Sequence, residues 1–187
     1  MKILILEGIA TSGKSTIIEL LCKKLSDKHI SVYGEPDTHI PIMGQPATLH
    51  LAFFESLLDK ALKGPADLVI FDRLYLTQAF RAKAAISKYE ALENRLLQHQ
   101  TLTAFLKVHE DSVANRVQAA AEHREKQWGE YIKTKGKTPQ EIAQYYINQQ
   151  RSQITLLAQS KVASSVFDTT KHEYDKISDE ILSAFSL

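Results

Sequence analysis

The 187-residue chain, with 44% hydrophobic and 24% charged residues, has the composition of one globular domain and excludes a disordered or fibrous class. Lys and Arg exceed Asp and Glu by one, so there is no global basic field to draw the chain onto a nucleic-acid polymer, and any anion site is local. A single cysteine, Cys22, rules out an internal disulfide and a multi-cysteine metal site and fits a reducing, cytoplasmic setting.

From the N-terminus, Ile3 to Leu6 is a continuous apolar run, the pattern of a strand covered on both faces. Only four apolar residues follow Lys2 before Glu7, too short for a signal core or a membrane span, so a soluble protein without a membrane partner is expected. Gly8-Ile9-Ala10-Thr11-Ser12-Gly13-Lys14-Ser15, followed by Thr16, satisfies the nucleotide phosphate-binding loop pattern in full. The chemistry explains the residue types. Backbone amides turned inward around phosphate oxygens need glycine where a side chain would block approach, and Gly8 and Gly13 meet that need. A helix predicted over 14–28 points its unpaired amides and positive end at the same oxygens. Lys14 adds a full charge on the outer phosphates, and Ser15 offers a hydroxyl to Mg2+. Within that helix Cys22 shares a helical spacing with Ile18, Leu21 and Leu25 and reads as a buried small hydrophobe.

Further along, strands are predicted at 30–33, 67–72, 101–108 and 162–167, and helices at 48–63, 77–98, 139–159 and 174–185. Gly34-Glu35-Pro36 reads as a turn after the second strand. Thr138-Pro139-Gln140-Glu141 carries the signature of a capped helix start. Strands alternating with helices give an α/β fold, a five-stranded parallel sheet flanked by helices, in a single domain spanning 1–187. Residues 115–137 hold Arg116, Arg124, Lys126, Lys133, Lys135 and Lys137 with few apolar residues after Ala121, and read as an exposed, mobile insertion.

In an open parallel sheet, ligands gather at the carboxyl ends of strands, where the loop, Glu35 and Asp72 all fall. Asp72, ending an apolar strand, is placed to hold Mg2+ or its water shell, and Arg73 to grip the acceptor or a phosphate. Glu35 is placed to accept a proton from an attacking hydroxyl or to orient the acceptor. Phe53 and Phe54 are adjacent on a helix, so one faces the core and the other is open to stack on a base. Arg116 and Arg124, eight residues apart, lie near one helical face, and either is open to act as an arginine finger in cis, Arg124 being the preferred candidate.

Beyond the loop, Glu35-Pro36, Leu51-Ala52-Phe53-Phe54 and Asp72-Arg73-Leu74-Tyr75 resemble the thymidylate kinase-like nucleoside and nucleotide kinases, with the deoxynucleoside kinases close behind. The resemblance covers most of the chain. It implies a three-layer P-loop fold, ATP with Mg2+ as donor and cofactor, a small-molecule acceptor, a lid at about 115–137 and a homodimer. Phe167-Asp168-Thr169-Thr170 is similar to the loop that such kinases place beside adenine. Three departures leave the acceptor open between a nucleoside, a nucleoside monophosphate and another small alcohol. Gly34 stands where thymidylate kinases carry an arginine, Phe54-Glu55-Ser56-Leu57 lacks a further one, and Asp72-Arg73-Leu74 stands where deoxynucleoside kinases have Glu-Arg-Ser. Hydrolysis of ATP or GTP in a regulatory role, or nucleotide binding without turnover, are the other classes the loop admits.

Overall fold

The computed structural model describes residues 1–123 and 126–186. Five strands form one fully parallel sheet in the order β2-β3-β1-β4-β5, comprising β1 (Lys2–Glu7), β2 (Ile30–Tyr33), β3 (Leu68–Asp72), β4 (Gln100–Lys107) and β5 (Ser164–Asp168). The period-two alternation of strand side chains sorts the apolar runs into two cores. Ile3, Ile5, Val69, Phe71 and Phe105 join one core, with α3 (Ala47–Leu62), α4 (Tyr75–Arg81) and α5 (Glu90–Leu96). Leu4, Leu6, Leu68, Ile70, Ala104 and Leu106 join the other, with α1 (Lys14–Lys24) and α9 (Tyr174–Ala184). Each face is thus sealed by helices, as a parallel sheet requires.

The helix expected over 77–98 is instead two helices, α4 and α5, separated by a 3-10 turn at Ile86–Tyr89. Lys83 adopts φ 49° at the position past the end of α4 that glycine ordinarily fills. Its amide donates to Phe80 O at 3.1 Å, and the Ala84 amide to Ala79 O at 2.9 Å, the paired bonds of a Schellman stop. No glycine announces this stop, so the sequence pattern runs through it. The turn expected at Gly34-Glu35-Pro36 is a one-turn helix, α2 (Glu35–Thr38), with Pro36 in its first turn, where a missing amide costs nothing. At the start of α8 (Pro139–Leu157), Thr138 accepts the Glu141 amide at 3.2 Å, while Glu141 Oε2 accepts the Lys137 amide at 2.6 Å, one residue before the cap.

The basic segment departs most from expectation. It is helical, α6 (Glu110–His123) and α7 (Lys126–Lys133), as the shared face of Arg116 and Arg124 implied, but it is not exposed throughout. Val113, Val117 and Ile132 are buried with Ile9, Val108, Ile142, Ala143 and Tyr146 in a third apolar cluster against α8. The apolar residues that anchor it are spaced at helical intervals among many charges, which disguises the stripe. Cys22 is half-buried, not fully buried, with its thiol pKa raised by burial. Among the described residues no helix is long and apolar enough to cross a membrane.

Candidate active site

The site begins where β1 ends. Gly8 takes φ 142°, and a Cβ there would lie 2.6 Å from Leu106 O, so only glycine lets the loop pass over β4. Gly13 takes φ 94° and leads into α1, whose first turn has no side-chain cap. The first backbone bond of α1 is Ile17 N to Gly13 O at 3.0 Å. The first amides of α1, those of Ser15 and Thr16 among them, precede the first intrahelical acceptor and are placed to cradle an anion. Lys14 Nζ donates to the carbonyls of Gly8 at 3.2 Å and Ile9 at 3.0 Å, which arches the side chain over the loop.

This loop floors a chamber of about 810 Å3, lined also by Glu35, Arg73, Arg116, Tyr146 and Tyr174. Ala10, Thr11, Ser15 and Thr16 line it directly, while Ser12 is buried beneath the loop. Arg73 is held at φ 64° just after β3, a strained backbone pinned from both sides. Its own amide donates to Leu6 O at 2.9 Å, and the next amide, of Leu74, donates to Glu7 Oε1 at 3.0 Å. Glu7 also accepts the Thr77 hydroxyl at 2.8 Å. Burial raises the Glu7 pKa, opposed by these two hydrogen bonds and by the charges of Arg73 and Lys14. Arg73 itself, lowered by burial to about 10, remains a cation at neutral pH and pairs through Nη1 with Glu35 Oε1. The Glu35 side chain is 46% exposed, so part of its carboxylate faces the chamber. Asp72, at 6% exposure, lies opposite Leu6 in the sheet register, at the same strand ends as the loop.

Arg116, on α6, donates to the carbonyls of Thr11 at 3.0 Å and of Thr169. It ties the phosphate loop to the segment after β5, beside Tyr174, whose ring packs on Gly13. Arg124 lies outside the described residues. Phe54 is fully buried in the core against Tyr89, with ring centroids 6.3 Å apart, and Phe53 packs half-buried beside it. Neither lines a chamber, so the structure does not bring this pair to the site.

A second chamber, of about 990 Å3, adjoins the first through Met43, Arg81 and Tyr131, which line both. Arg81 Nη1 donates to His39 Nε2, and Nη2 to Tyr131 Oη at 2.9 Å. His39 is 6% exposed and its pKa falls to about 4, through burial and then the Arg81 cation, so the ring is neutral. Arginine only donates, so Nε2 accepts from Arg81, while the side-chain amide nitrogen of Gln78 lies 2.6 Å from Nδ1.

Sequence reasoning missed Glu7, His39, Gln78, Arg81, Tyr131 and Tyr174. Glu7 carried a signal, as a carboxylate closing an otherwise apolar buried strand. Gln78 and Arg81, three apart on α4 and so on one face, carried a weaker one. The others are brought in from distant elements and had none.

No protein-family model matches the sequence, and no curated protein does. Solved structures do match. The fold is similar to that of YorR from Bacillus subtilis, determined in complex with phosphorylated GDP, with a TM-score of 0.68 at 19% identity over 99% of this chain and 96% of that one. It is also similar to shikimate kinase from Bacteroides thetaiotaomicron, with a TM-score of 0.61 at 18% identity over 99% and 98% of the two chains. Deoxyadenosine kinase from M. mycoides, solved with dCMP and dCDP, gives a TM-score of 0.61 at 16% identity over 100% and 99%. The chain has the three-layer α/β fold of the P-loop kinases.

Proposed function

We propose that the chain transfers the γ-phosphoryl group of ATP to a small-molecule acceptor, a nucleoside or nucleoside monophosphate. One observation carries this reading: the Glu35–Arg73 pair faces the phosphate loop across one chamber, and a second chamber opens from it. A nucleotide hydrolase needs room for water, whereas a second chamber of about 990 Å3 is of the size that holds a metabolite. Similar folds, in shikimate kinase and in deoxyadenosine kinase with bound dCMP and dCDP, support the same reaction class.

In this reading the uncapped amides of α1 hold the β- and γ-phosphates, and Lys14 turns from its loop carbonyls to the transferring group. Arg116 and Tyr174 wall the side toward the base. Ser15 and Asp72 form an all-oxygen donor set that suits Mg2+, which when bound supplies neutralising charge on the phosphates. The acceptor oxygen, a hydroxyl of a nucleoside or a phosphate oxygen of a monophosphate, bonds to phosphorus as the bond from phosphorus to the ADP oxygen breaks, and where that oxygen carries a proton Glu35 takes it. Arg73 orients the Glu35 carboxylate. Helices α6 and α7 roof the chamber and act as the lid that excludes water.

Gln149, buried and lining the loop chamber, favours a second reading, hydrolysis with a positioned water. A coupled ADP-release assay separates the two. ATP is supplied with adenosine, thymidine, their 5′-monophosphates and shikimate, beside the Lys14→Ala variant. The proposal expects release that depends on one acceptor class and falls about 1,000-fold or more in the variant. Release at one rate with or without acceptors would favour hydrolysis.

A further inference from the structure

Arg81 holds an unusual position. It closes α4 at the junction of the two chambers, and its described partners are neutral: the His39 imidazole and the Tyr131 and Tyr145 hydroxyls. Its Nε is buried with no hydrogen-bond partner, and among the described residues no carboxylate pairs with it. Arg81 as a whole is only partly buried, but its Nε is shut off from water, and a guanidinium set against neutral groups gains most when an anion completes the site. His39 cannot become that anion, and its protonation is suppressed by burial and by Arg81 itself. What these neutral partners do achieve is orientation, fixing the guanidinium nitrogens so that the planar fork points one way.

The outer chamber carries the same bias. Lys83 and Lys135 line it with Arg81, and no carboxylate does among the described residues. Lys135 Nζ sits 4.5 Å from the Tyr131 ring centroid and 5.3 Å from that of Tyr145, which holds a second cation beside the junction. The loop chamber is different, since there Glu35 is present to work on a hydroxyl. Gly34, by contrast, offers no cation at the turn before Glu35.

We propose that Arg81 binds an anionic group of the acceptor, a phosphate or carboxylate, so that the outer chamber selects charged acceptors over neutral ones. This rests on the kinase reading for the word acceptor, but not for the anion site itself. The cation that the α2 turn lacks is then supplied from α4, at the junction of the two chambers. Charge-assisted contacts of this kind make the selection large enough to measure.

The test compares thymidine with its 5′-monophosphate, and adenosine with its own, in wild type, Arg81→Gln and Arg81→Lys. Turnover is followed by ADP release, and binding to ADP-loaded protein by calorimetry. The proposal expects kcat/KM for a monophosphate to exceed that for its nucleoside by about tenfold or more. Arg81→Gln is expected to raise the monophosphate KM or Kd about 10- to 100-fold with the ATP KM unchanged, and Arg81→Lys, which keeps the charge and tests for a folding defect, to recover part of it. Arg81-dependent monophosphate binding without turnover would uphold the anion site and sink the kinase reading. Nucleosides used as well as monophosphates, or a monophosphate KM unmoved in Arg81→Gln, would overturn the anion site while leaving the kinase reading intact. Neither binding nor turnover with any probe would overturn both.

Discussion

The two sides of the site are built differently. The donor side is one stretch of chain, Gly8 to Thr16, whose ligands are chiefly backbone amides fixed by glycine geometry and a helix start. The acceptor side is made of side chains from α2, α4 and α8, with His39 added from just after α2 and Tyr131 from α7. A backbone cradle tolerates most side-chain changes and is broken by losing a glycine. A side-chain wall is retuned by single substitutions, as suits the part of an enzyme that chooses its substrate.

That contrast can be broken most sharply on the acceptor side. Glu35→Gln removes the proton acceptor while keeping the shape, and is expected to lower kcat about 100-fold or more with ADP affinity unchanged. Single-turnover kinetics beside ADP calorimetry measure both, and an unchanged kcat would reduce Glu35 to a partner of Arg73. On the donor side, Gly13→Ala puts a side chain at φ 94° and a Cβ 2.3 Å from the Tyr174 ring. Strain of about 1–3 kcal/mol should weaken ADP binding roughly 5- to 100-fold. Equal loss of affinity in Ser12→Ala would show that backbone geometry is not what distinguishes the donor side.

The smallest effect is in pH. The folded-state pKa of His39 is depressed from 6.5 to about 4, so its contribution to stability is complete above pH 6.5 and is lost as pH falls through about 4. Melting temperature followed from pH 7 to pH 4 should fall more steeply in wild type than in His39→Gln. Parallel curves would mean that the imidazole is not held neutral by its place between Arg81 and the core.

This difference in construction also governs how much was legible in the sequence. A site made by backbone leaves its glycines and lysine in one contiguous motif, and the sheet leaves apolar runs at Ile3 to Leu6 and Leu68 to Phe71, so both could be read directly. Asp72 and Arg73 were legible because they follow such a run. Arg81 and His39 are 42 residues apart and meet only where the residue after α2 reaches the end of α4, which no local pattern records. The break after α4 was hidden because Lys83, not glycine, occupies the left-handed position. Phe53 and Phe54 misled for the opposite reason: an aromatic pair in an amphipathic helix is what a core also requires, and here the core takes it.

The most direct test of phosphoryl transfer is the fate of a label. ATP carrying 32P in the γ-position is incubated with the protein and the nucleoside and monophosphate panel, and the products are separated. The account predicts label on the acceptor, lost in Lys14→Ala and strongly reduced in Glu35→Gln. Label appearing only as inorganic phosphate, at a rate indifferent to every acceptor, would contradict it.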